Sequence, residues 1–129
     1  MPITVLVADD KEVVLSSIRL LLRPNPEIRV VGETGSFQQT IQSALDLKPQ
    51  VVVMDLHMPD ESSVNPQEIK SLLDKLGSQL IAMSFWNDEN TQVLARSFGA
   101  VTLLDKMRLV DELIPAIKAA TSEQRTASD

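Results

Sequence analysis

Short apolar runs and amphipathic segments alternate along the chain in strict order. Ile3–Ala8 is a run rich in Val and Ile that ends abruptly at Asp9-Asp10. Its apolar character is continuous, which predicts a strand covered on both faces. Val14, Ile18, Leu21 and Leu22 then recur at helical spacing and mark one face of a first helix. Arg23-Pro24-Asn25-Pro26 stops it, because proline lacks an amide proton and biases the preceding residue away from helix. The unit then repeats. A strand over 28–32 precedes a helix striped by Phe37, Ile41, Ala44 and Leu45, with Ser36 as its N-cap. A strand over 51–54 ends at Asp55, and a loop over 56–64 leads into a third helix. Asn65 caps that helix, Pro66 takes its first position, Ile69, Leu72, Leu73 and Leu76 line it, and Gly77 ends it. A strand over 80–83 closes at Ser84, and Asn87 or Asp88 caps a helix carrying Val93, Leu94 and Phe98, with Gly99 as terminator. A strand over 101–104 runs into Asp105-Lys106. Val110, Leu113, Ile114 and Ile117 give the last helix, which Pro115 disturbs or bends.

Strand and helix in strict alternation predict a parallel sheet with helices on both faces, joined by right-handed crossovers. For five strands this is an α/β, doubly wound, three-layer (βα)5 sandwich of flavodoxin-like type, in strand order 2-1-3-4-5. Residues 1–120 make one domain. Residues 121–129 are polar and without periodicity, and read as a tail or as the start of a linker to a further domain.

Composition narrows the class. The 129 residues hold 43% hydrophobic residues, too many for a disordered chain, and no cysteine, so neither a disulfide framework nor a thiolate metal site is available. Twelve Lys and Arg against eighteen Asp and Glu leave a net charge of −6. That balance disfavours binding of nucleic acid or an anionic membrane by bulk charge and favours holding a cation or meeting a basic partner. No apolar run approaches the ~20 residues of a spanning helix, and the N-terminus has no signal-type pattern. A cytoplasmic, soluble protein is expected.

In the proposed strand order the carboxyl ends of strands one, three, four and five adjoin, and chemistry collects there: Asp9 and Asp10, Asp55, Ser84 and Lys106. Crowded carboxylates favour protonation or capture of a hard cation, and oxygen ligands point to Mg²⁺ or Mn²⁺. An ammonium and a hydroxyl opposite them suit a tetrahedral anion. Asp55 is thus placed to attack a phosphoryl donor and form an acyl phosphate.

These residues resemble the receiver domain of two-component response regulators. The matching stretches are Val-Ala-Asp9-Asp10, Met54-Asp55-Leu-His-Met58-Pro59, Met-Ser84, and Gly99-Ala100 with Lys106, over about residues 3 to 119. The resemblance implies that Asp55 is the phosphoacceptor and that Asp9, Asp10, Asp55 and the backbone carbonyl of His57 hold the metal. Ser84 would be the switch hydroxyl and Lys106 the phosphate contact. It also implies a phosphohistidine donor on a sensor histidine kinase or phosphotransfer protein, a homodimer, and a domain that promotes its own phosphorylation and dephosphorylation without being a turnover enzyme. The Val-Ala-Asp-Asp opening is similar to receivers that precede a DNA-binding helix-turn-helix output domain, which here would lie beyond residue 129. The receiver itself would not bind DNA.

Several positions depart from the family pattern. Phe85 and Trp86 follow Ser84 where a small residue is usual, and either ring could shield an acyl phosphate or slow its formation. Leu103 replaces the switch aromatic, and Met107 replaces the proline after the lysine. Asp60 and Glu61 stand in the loop after Pro59, where they are expected to add negative potential near the pocket. Phe85, Leu103 and Ser63, the last in a loop that normally holds a glycine, motivate a second reading, a phosphorylation-independent pseudo-receiver serving as an interaction module. A phosphatase with an aspartyl nucleophile after its first strand would instead use Asp9-Asp10.

Overall fold

A computed structural model describes the backbone of residues 1–128 and the side chains of residues 1–122. Five strands, β1 (Ile3–Ala8), β2 (Ile28–Thr34), β3 (Val51–Asp55), β4 (Gln79–Ser84) and β5 (Ala100–Asp105), form one parallel sheet in the order β2-β1-β3-β4-β5. Between and after them run α1 (Glu12–Leu22), α2 (Phe37–Leu47), α3 (Pro66–Leu76), α4 (Glu89–Ser97) and α5 (Leu109–Ser128). The α/β fold and strand order expected from the sequence are those observed.

The continuous apolar strands have a simple cause. Successive side chains of a strand point to opposite faces, and both faces here are covered. Val5, Val7, Val51, Val53, Ile81 and Met83 pack with Ile18 and Leu22 of α1 and with Leu113 and Ile117 of α5. Leu6, Ala8, Val52, Met54, Leu80 and Ala82 pack on the other side with α2, α3 and α4, through Phe37, Ile69, Leu73 and Ala95. The rings of Phe37 and Phe98 stack there with centroids 5.5 Å apart, tying the start of α2 to the end of α4.

Caps fix where the helices begin. Ser36 Oγ accepts from the Gln39 amide, Asn65 Oδ1 from that of Gln67, and Asp88 Oδ1 from that of Thr91. Each satisfies an amide that the first helical turn leaves without a partner. Gly99 ends α4 at φ +82°, a left-handed conformation that favours glycine, and a Cβ there would stand 2.7 Å from Lys70 Cγ.

Some expectations at the edges of stripes give way. Leu45, Val93 and Val110 are exposed, while Leu15 and Leu109 are buried in their helices. Pro115 lies inside α5 without ending it. That helix runs on through Ser128, and Thr121 is buried with its hydroxyl donating to the Ile117 carbonyl. Of the tail expected over 121–129, the side chains of 123–128 and all of residue 129 lie outside the described residues. Among the described residues no helix is long and apolar enough to cross a membrane.

Candidate functional site

The strand order brings four carboxyl ends side by side, and their registers align them. Ala8 pairs with Met54, Asp55 with Met83, and Ser84 with Asp105. Asp9 follows β1, Asp55 is the last residue of β3, and Ser84 is the last of β4. Lys106 opens a single 3-10 turn after β5. Asp105 shapes that turn, its carboxylate accepting the Met107 amide at 2.8 Å.

Asp9, Asp10 and Asp55 each place a carboxylate oxygen within 4.8 Å of the others. Asp9 is fully buried and Asp55 nearly so. Lys106 reaches between these two, its Nζ 2.6 Å from Asp9 Oδ2 and 3.2 Å from Asp55 Oδ2. Each of the two acids also has its second oxygen oriented by the chain two residues on. Asp9 Oδ1 accepts the Lys11 amide at 2.8 Å, and Asp55 Oδ1 accepts the His57 amide at 3.1 Å. Asp9 therefore shapes the turn before α1 and does not cap it; the helix cap position is Lys11.

The electrostatics are unbalanced in favour of a cation. Burial pushes the Asp55 carboxyl above its ordinary value; the Lys106 ammonium and the His57 amide pull it down, and Asp9 pushes it up again. Two ammonium groups, Lys106 on Asp9 and Asp55 and Lys11 on Asp10, thus face three carboxylates, leaving a net negative charge. Among the described residues, Asp9 Oδ2 is buried without a directed hydrogen bond and is held by the ion pair to Lys106. A buried oxygen in that state, among all-oxygen donors, fits a hard divalent ion of the Mg²⁺ or Mn²⁺ kind. The notch beside these acids has a volume of about 160 Å³ and is bounded by Asp10, Lys11, Asp55, His57, Phe85, Trp86 and Lys106, with Asp9 buried behind it.

Other residues singled out in the sequence stand at varying distances from this notch. Ser84 is buried beside Asp55's strand, and its hydroxyl accepts the Trp86 amide at 3.0 Å. The His57 side chain turns outward, with Nδ1 2.9 Å from Glu61 Oε2 and the ring edge-on to Trp86. Glu61 is thereby occupied with His57. Asp60 leaves the pocket altogether: its two oxygens accept the Phe37 and Gln38 amides at 3.0 Å each, at the start of α2. Burial pushes the Asp60 carboxyl up, but those amides outweigh it and hold it below its ordinary value. The expectation that both acids charge the pocket is corrected accordingly, because each has a nearer partner.

Two contacts escaped the sequence reading. Lys11 lines the notch and pairs with Asp10 at 3.2 Å, a contact that a cation directly after the acid pair could have flagged. The Phe85 ring lies 5.0 Å from Lys106 Nζ, which no linear pattern announces across twenty-one positions.

Known proteins resemble this chain in sequence and in fold. The family model described as the response regulator receiver domain matches residues 5–118. The nitrate/nitrite response regulator protein NarL of Escherichia coli K12 is 29% identical over 129 residues, covering 99% of this chain and 59% of its own. The response regulator protein VraR of Staphylococcus saprophyticus is 31% identical over 119 residues, covering 92% and 56%. The chain spans less than two thirds of the length of these curated relatives. Among solved structures, the non-phosphorylated receiver domain of the Escherichia coli stress response regulator RcsB superposes with a TM-score of 0.82 at 24% identity, covering 95% of each chain. The response regulator domain of Thermotoga maritima CheB gives 0.81 at 24% identity, covering 95% of this chain and 98% of its own. Likeness at that identity establishes the shared fold.

Proposed function

The chain belongs to the response regulator receiver family, and from that premise we propose that it is a phosphorylation-dependent switch with Asp55 as phosphoacceptor. The observation that carries this is Lys106 bridging Asp9 and Asp55 in a notch of three carboxylates at the end of the sheet. An Asp55 oxygen attacks the phosphorus of a phosphohistidine. The new O–P bond forms as the P–N bond breaks, and the imidazole nitrogen keeps the electron pair. The donor belongs to a sensor histidine kinase or phosphotransfer protein.

Asp9, Asp10, Asp55 and the His57 carbonyl would hold Mg²⁺ or Mn²⁺, which when bound neutralises charge on the transferring phosphoryl oxygens. Lys106 moves from carboxylate to phosphoryl oxygen as a point charge. Ser84 turns its hydroxyl from the Trp86 amide toward the same group. The loop carrying Phe85 and Trp86 follows, and so does the start of α4. With Leu103 in β5, the readout depends on this loop rather than on a rotating aromatic ring. The switch changes a homodimer or output-domain contact. It controls transcription, a reading supported by a relative named as the transcriptional regulatory protein LiaR of Bacillus subtilis, and acts through an output domain beyond residue 129 that binds DNA. The protein turns over no substrate of its own and works in the cytoplasm.

The test is incubation with phosphoramidate or acetyl phosphate plus Mg²⁺, read by intact mass. A gain of one phosphoryl group in the parent and none in Asp55→Ala is expected. No gain in the parent, or an equal gain in Asp55→Ala, removes Asp55 from the role and leaves the interaction-module reading.

A further inference from the structure

The Lys106 side chain is only 4% exposed although it stands at the open notch. Asp9 Oδ2 and Asp55 Oδ2 hold its ammonium at 2.6 and 3.2 Å. A third contact comes from the ring of Phe85, whose centroid lies 5.0 Å from Nζ. Phe85 itself is 50% exposed, while the lysine side chain it faces is buried. An ammonium over an aromatic face is attracted by the ring's quadrupole, and more strongly where water is kept away.

Asp9 and Asp55 are also two of the three carboxylates grouped as cation ligands. A lysine and a divalent ion cannot both hold them at full strength, since like charges in a poorly screened site repel. Whatever steadies Lys106 on these acids therefore opposes the incoming ion.

We propose that Phe85 is a positioning residue that lowers the divalent-cation affinity of the notch by keeping Lys106 seated on Asp9 and Asp55. The inference rests on the metal-binding part of the function proposed above. In this arrangement the ammonium is the resident cation of the resting state, and the ring is what makes it costly to displace. Occupancy by the metal, and with it readiness for phosphoryl transfer, becomes adjustable at a residue that touches no ligand.

The experiment is calorimetric titration of the full chain with MgCl₂ alone. Phe85→Leu keeps apolar bulk but removes the aromatic face, and it should tighten Mg²⁺ binding between about twofold and about thirtyfold, the range of a cation–aromatic contact at a half-covered site. Phe85→Tyr keeps the face and should stay within about twofold of the parent. In a Lys106→Met background, Phe85→Leu should change nothing, because the ring then has no cation to hold. Unchanged or weaker binding in Phe85→Leu overturns the inference, as does an equal effect with and without Lys106. Should Lys106→Met fail to fold, the contrast between leucine and tyrosine decides the matter. Absence of Mg²⁺ binding in the parent and every variant overturns the metal reading and this inference together. Binding that ignores Phe85→Leu overturns this inference alone.

Discussion

Asp60→Ala isolates a contact that ties the loop after Asp55 to the start of α2. The carboxylate accepts the amides of Phe37 and Gln38, each at 3.0 Å, and sits at the end of the helix where the backbone dipole favours a negative charge. Ser36 continues to cap the Gln39 amide in the variant, so the helix is not stripped of its start. The Phe37 and Gln38 amides lose their acceptor. Removing a capping carboxylate costs about 0.5–2 kcal/mol, and the dipole adds about 0.3–1. We expect about 2 kcal/mol at neutral pH. In urea, with a slope of about 1–3 kcal/mol/M, this moves the unfolding midpoint down by about 1 M without changing the slope.

The pH dependence has a definite sign. The folded Asp60 carboxyl lies below its ordinary value, so its stabilisation is complete above the unfolded value of about 3.9 and is lost as pH falls through the lowered folded value. The gap between parent and Asp60→Ala should therefore be full at pH 7 and shrink only in strong acid. Mg²⁺ affinity should stay within about twofold of the parent, since the carboxylate points to α2 and not into the notch. An unchanged urea midpoint would refute the cap. A large change in metal affinity without a change in stability would return Asp60 to the pocket.

Other perturbations probe the same site. Lys106→Met leaves the buried Asp9 and Asp55 without their cation and should destabilise the fold by about 3–5 kcal/mol at neutral pH, with recovery on adding Mg²⁺; denaturant unfolding with and without the ion checks both. Asp55→Asn should raise the melting temperature at pH 7, because burial makes the charged carboxylate unfavourable in the folded state. The raised folded value of Asp55 means the charged form costs stability above the unfolded value of about 3.9, so the gain should disappear below it, as scanning calorimetry across pH would show. Ser84→Ala removes the acceptor of the Trp86 amide and should cost about 1 kcal/mol, while abolishing the emission change of the sole tryptophan when phosphoramidate and Mg²⁺ are added.

The sheet was readable in the sequence because both its faces are buried, which makes runs such as Val51-Val52-Val53-Met54 apolar throughout and sets them apart from the helical stripes. The cluster of acids and lysine was readable for a related reason: strand order alone decides which strand ends adjoin. Side-chain destinations across long separations were not. Asp60 reaches amides more than twenty positions earlier, and no local pattern distinguishes a carboxylate bound there from one facing the notch. Helix stripes give the buried face but not its edges: Leu45 and Val110 stand at stripe spacing and are exposed, while Leu15 lies off the stripe and is buried. The extra residue in β2 opposite Val5 and Leu6, where the register shifts, is likewise announced by no single residue type.

The central claim is that Asp55 carries the phosphoryl group, and chemical trapping tests it most directly. Borohydride reduces an aspartyl phosphate to homoserine at the modified position. After reaction with phosphoramidate and Mg²⁺, peptide sequencing of the reduced protein should find homoserine at position 55 and aspartate intact at positions 9 and 10. Homoserine at either of those positions, or at none, would contradict the account.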